Sequence, residues 1–171
     1  MKKIKFIFLS ALVAFLASSC EKDPIQPNPV PQNGTLEGTL TKNTEIPAGS
    51  TWTLKGYVYV PEGISLTIGE GVTIKSDIAE KGALCVERGG KIFANGTADK
   101  PIIFTSGRPD DEKLPGDWGG IIILGKARTN KTEPTIEGGV GRPYGGTDDN
   151  DNSGVLRYVR VEYAGIAAFP N

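Results

Sequence analysis

From Thr39 onward, apolar and polar residues alternate in short runs, each closed by a turn rich in glycine. Trp52–Val60 ends at Pro61-Glu62-Gly63, and Ile64–Ile68 ends at Gly69-Glu70-Gly71. Val72–Lys75 follows, then Ala83–Val86 closed by Glu87–Gly90, Lys91–Ala94 closed by Asn95-Gly96, and Ile102–Thr105. A period of two over such short runs marks strands with one buried face. No window of twelve residues beyond residue 20 holds a 3.6-residue apolar stripe, so almost no helix is expected.

The runs also repeat. Ile68–Ile74 aligns with Val86–Ile92 at an offset of 18 residues, and Ile102–Phe104 with Ile121–Ile123 at 19. A repeat near 20 residues, holding two or three short strands, predicts an all-β solenoid. In such a fold each coil stacks on the last, Ile, Leu and Val form interior ladders, and glycine serves the corners. Turn-separated strands at this spacing also suit a β-sandwich, which stands as the alternative arrangement. Two excursions interrupt the pattern, 106–117 and 126–153, and loops of that length in a compact domain are often functional.

The N-terminal segment obeys a different logic. Met1–Lys5 is basic, and Phe6–Ala17 is apolar but for Ser10, too short to cross a ~30 Å hydrocarbon core as a helix. This is the signature of a secretory signal peptide. Leu16-Ala17-Ser18-Ser19-Cys20 resembles the lipobox of bacterial lipoproteins. That resemblance implies cleavage before Cys20, a diacylglyceryl group on its thiol and a fatty acid on its new amine. Two or more acyl chains anchor stably where one does not. Residues 21–33 carry four prolines and read as a polyproline-II tether reaching about 40 Å. The expected organisation is signal peptide 1–19, lipidated Cys20 and Pro-rich linker 20–38, and a β domain over 39–171. Glu21 and Asp23 resemble the export signals of Bacteroidota surface lipoproteins, which implies the outer membrane, facing the exterior.

Composition narrows the chemistry. The chain contains no histidine, which excludes Ser-His-Asp and Cys-His catalysis and imidazole metal sites. Of 19 basic residues, cleavage removes Lys2, Lys3 and Lys5, leaving 16 against 20 acidic ones. A formal net charge of -1 argues against nucleic acid as a partner, since its phosphates need clustered cations to neutralise them. With Cys20 lipidated, Cys85 is the one free thiol, expected to pack rather than react.

Val60-Pro-Glu-Gly63, Leu66-Thr-Ile68, Gly116-Asp-Trp-Gly-Gly-Ile121 and Gly154–Gly165 together resemble a group of Bacteroidota lipoproteins, over roughly residues 50–171. The resemblance implies a right-handed parallel β-helix, similar to pectate-lyase-like proteins, and a cell-surface setting. It implies no reaction. Members are usually longer, so a short or truncated member of about four to five coils is expected.

Candidate chemistry is sparse. Asp149, Asp151, Ser153 and Gly154 mimic the first half of a calcium loop, but Arg160 stands where an EF-hand needs its final Glu. A calcium site at Asp149 and Asp151 competes with a solvated Asp/Asn/Gly turn. Residues 155–163 alternate as one strand, with Val155, Arg157, Val159, Val161 and Tyr163 on one side and Leu156, Tyr158, Arg160 and Glu162 on the other. With Val159 and Val161 inward, Tyr158, Arg160 and Glu162 form an outward row. Aromatic platforms stack on sugars while Arg and carboxylates bind hydroxyls or uronates, which makes Trp118, Tyr144, Tyr158, Arg160 and Glu162 candidate ligand contacts. A hydrolase needs two carboxylates at a defined separation, and no such pair falls on successive coils at one register. The expected role is a non-catalytic surface module binding extracellular polysaccharide or a surface protein. The alternative is part of a lyase or hydrolase acting on acidic glycans.

Overall fold

A computed structural model describes residues 33–137 and 140–166. The signal peptide, Cys20 and most of the tether lie outside them. Eleven strands are present and, among the described residues, no helix. They are β1 (Asn33–Thr39), β2 (Thr44–Ile46), β3 (Thr51–Val60), β4 (Ser65–Ile68), β5 (Thr73–Ser76), β6 (Ala83–Val86), β7 (Lys91–Asn95), β8 (Ile102–Ser106), β9 (Gly120–Ile123), β10 (Gly154–Arg157) and β11 (Val159–Val161). Every pairing between them is parallel.

The pairing resolves into three faces. Face one is β2-β4-β7-β10. Face two stacks the first halves of β1 and β3 with β5, β8 and β11. Face three stacks the second halves of β1 and β3 with β6 and β9. Strand β3 serves two faces because it turns at Gly56, where φ is 59°. Each coil runs face two, face three, face one, so the chain winds as a parallel β-helix and the sandwich alternative falls away. Ile46, Ile68, Ala94 and Leu156 form one inward ladder, and Val58, Leu84 and Ile121 another. Parallel strands gain little per hydrogen bond; the ladders of buried Ile, Leu and Val supply the stacking free energy.

Three readings change. Neither offset relates stacked coils: at 18, Ile68–Ile74 turns from face one to face two whereas Val86–Ile92 turns from face three to face one, and at 19, Ile102–Phe104 lies on face two whereas Ile121–Ile123 lies on face three. Stacked residues stand 18 apart from β1 to β3 and 22 from β3 to β5, and excursions then stretch the spacing. The corner repeats because each needs the same chemistry. Gly63 and Gly89 both sit at φ 76°, and the Gly63 N–H donates to the Gly89 carbonyl at 3.1 Å, so the corners stack. Second, β1 begins at Asn33, inside the expected linker. Its single inward apolar residue, Leu36, gives no periodic signal yet is buried on Leu54. Third, residues 155–163 are not one strand. Tyr158, at φ 50°, is a corner between β10 and β11. The corner shifts the phase, so Leu156 stacks over the inward Ala94 while Val159 and Val161 stack over the buried Ile102 and Phe104.

Candidate functional site

The long excursion between β9 and β10 folds back onto the solenoid. Its central part is a hairpin: the Ile136 N–H donates to the Arg142 carbonyl at 3.0 Å, and the Tyr144 N–H to the Pro134 carbonyl at 2.9 Å. Its neck is closed by the Gly145 N–H on the Gly125 carbonyl at 2.8 Å and the Gly146 N–H on the Ala127 carbonyl at 3.0 Å. The hairpin walls an open cleft of about 500 Å³ against the end of β9. Ile123, Leu124 and Ile136 make its apolar lining, Tyr144 its aromatic element, and Lys131 and Glu137 its charges.

Ion pairs fix the excursion to the corner after face three. Arg142 meets Glu87 at 2.9 Å and holds its guanidinium 4.4 Å from the centre of the Tyr59 ring. Arg88 meets Glu133 at 3.3 Å and donates to the Gly145 carbonyl at 3.1 Å. Lys126 pairs with Glu62, whose carboxyl it holds below the usual range by hydrogen bond and charge. Two smaller cavities, about 260 and 220 Å³, flank these pairs and share Glu62 and Arg88.

The other candidates scatter. Trp118 is 1% exposed: it stacks on Phe104 at 6.2 Å and its indole N–H donates to the Glu162 carbonyl at 2.8 Å. A side chain enclosed in the core has no face for a sugar, so Trp118 is a packing residue. Tyr158 is 50% exposed at its corner, next to Arg157. Arg160 and Glu162 pair with each other on the outside of the last coil. Tyr144 alone among the candidates lines the cleft. Asp149 is engaged by Arg128, which lowers its carboxyl pKa, and an Asp151 oxygen accepts the Lys126 N–H at 2.8 Å. Among the described residues no three Asp, Glu or Cys side chains converge on a point suited to a metal ion.

The first excursion is organised around one carboxylate. Asp117 accepts the Ser106 hydroxyl at 2.6 Å, the Leu114 N–H at 3.0 Å and the Arg108 Nε–H at 3.0 Å. These donors, the Leu114 amide first, hold its pKa down at about 2. It is a clamp closing the 107–119 loop.

Sequence reasoning missed Tyr57 and Tyr59, although both lie in an expected strand. Their rings stack 6.2 Å apart on the outside of β3. A period-two reading contains the signal, since Val58 and Val60 between and beyond them must face inward. Glu62, Glu87, Arg88 and Arg142 carry no local motif, and only the return of the excursion brings them together.

A parallel solenoid with loops walling a cleft on its flank defines the class of protein. The chain belongs to the pectate-lyase-like β-helix domain family, whose pattern matches residues 38–171. No curated protein and no solved structure matches it.

Proposed function

We propose that this chain is a lipid-anchored surface protein of a Bacteroidota bacterium whose β-helix binds glycan without cleaving it. The observation that carries this reading is the cleft beside β9, which Tyr144 lines together with Lys131 and Glu137. A sugar ring presents an apolar C–H face and a rim of hydroxyls. An aromatic and aliphatic lining with charged groups at the edge complements both.

Ion pairs and hydrogen bonds already engage several of the charged side chains. Glu62, Asp110, Asp117 and Asp149 are all displaced downward, the wrong direction for a general acid. Lys55, Lys100 and Lys113 are displaced upward by carboxylate partners, the wrong direction for a general base. Calcium at Asp149 and Asp151 would have to displace Arg128 and the Lys126 amide, so the binding reading includes no metal.

The test is retention on an array of neutral and uronic-acid glycans, with Tyr144→Ala as the comparison. Binding lost in the variant at unchanged melting temperature supports the reading. Ultraviolet absorbance from an unsaturated uronate product, or binding indifferent to Tyr144, would overturn it. The anchor is tested separately: Cys20→Ser should move the protein from the membrane fraction to the soluble one.

A further inference from the structure

On face three, Tyr59, Cys85 and Ile122 stand in register as one row. Their neighbours Val58, Val60, Leu84 and Val86 belong to the interior cluster, so this row points outward. Yet Cys85 is fully buried. Beside it in the row, the returning arm of the long excursion, residues 140–148, sets the Arg142 guanidinium 4.4 Å from the centre of the Tyr59 ring, the in-register neighbour of Cys85. Within that arm only Gly145 is buried, and none of its side chains joins the interior cluster. The arm is attached through Arg142 to Glu87 and Tyr59, through Arg88 to the Gly145 carbonyl, and through its closed neck. Segments with few buried apolar contacts open at low free energy, and exposed ion pairs weaken as salt screens them.

We propose that the arm is a displaceable cover latched by Arg142, and that it masks a face of Tyr59, which with the neighbouring Tyr57 forms a second surface for stacking on sugar rings. Two near-parallel outward rings offer successive sugar units an aromatic track, and in the closed state Arg142 occupies the ring face that a sugar would use. The ligand class rests on the glycan reading above, whereas the latch does not.

Cys85 reports the latch directly. The full chain is labelled with a maleimide and digested, and peptide mass spectrometry reads Cys85 apart from Cys20. Labelling of Cys85 should accelerate about tenfold in Arg142→Ala or in about 1 M sodium chloride, where the screening length is about 3 Å. Glu87→Arg should accelerate it as well, and Glu87→Arg with Arg142→Glu should restore protection, a rescue that general destabilisation would not produce. Rates unchanged in every variant overturn the latch. For the hidden surface, Arg142→Ala is tested against a panel of neutral and uronic-acid hexasaccharides. Tighter binding by about fivefold than the native chain, abolished by adding Tyr59→Ala, supports it. Failure of Arg142→Ala to bind any of the panel, or a gain indifferent to Tyr59, overturns it. Dependence on Tyr144 in the native chain reports on the cleft alone, so the two readings fail separately.

Discussion

Trp118 decides whether an aromatic residue near an excursion serves the ligand or the core. It is 1% exposed, lies almost parallel to Phe104 at 6.2 Å, and donates its indole N–H to the Glu162 carbonyl. Trp118→Phe keeps a stacking ring but loses the donor and part of the volume. Losing this part-buried hydrogen bond costs about 0.5–1.5 kcal/mol, and incomplete filling of the site adds to it. Trp118→Ala should cost about 3–5 kcal/mol, as full truncation of a buried aromatic does. Equilibrium urea denaturation followed by far-ultraviolet circular dichroism measures both, since the remaining Trp52 is unsuited as sole probe of the far coils. At low denaturant each folded variant should bind any glycan the native chain binds with unchanged affinity. A Trp118→Phe protein as stable as the native one but deficient in glycan binding would refute the packing argument.

Asp117 predicts an acid transition. Its folded pKa of about 2 lies below the ordinary value of 3.8, so its contribution to stability is present above pH 3.8 and is lost as pH falls through about 2. Melting temperature against pH should show this decline, and Asp117→Asn should flatten it while lowering the plateau. Leu84→Ala, deep in the face-three ladder, should destabilise by about 2–5 kcal/mol in the same denaturation assay. Gly90→Ala places a Cβ 2.1 Å from the Val60 carbonyl oxygen of the neighbouring coil, a backbone clash that cannot relax. Its yield of soluble protein should collapse, and a normally folded Gly90→Ala would show that the coils are spaced more widely at this corner. Cys85, whose thiol is pushed up to about 11 chiefly by burial, should stay unmodified by iodoacetamide at neutral pH and low salt.

Strands β3 to β8 were legible because each, counting Val72 just ahead of β5, has two or more inward apolar residues at period two between turns. Val58 and Val60, Leu66 and Ile68, and Ile92 and Ala94 are such pairs, and all are buried. β1 was not, because one leucine among Asn, Gly, Thr and Glu makes no period and its strand is stabilised by pairing with β3. The corner at Tyr158 was hidden for a different reason. A non-glycine residue at positive φ leaves the alternation of letters intact while rotating the chain to a new face.

The sequence by itself determined an all-β chain of short strands with glycine corners and interrupting excursions, because period, turn chemistry and side-chain shape are local properties, and it left the choice between solenoid and sandwich to the strand pairing. It could not determine which residues meet across coils. That depends on register, which unequal turns offset by 30 residues between Thr73 and Ile103 and the excursions by 57 between Ile103 and Arg160. Tertiary structure alone sent Trp118 inward and left Tyr144 in a cleft. It also set Arg142 on Tyr59, a contact between residues 83 positions apart in a chain with no motif to announce it.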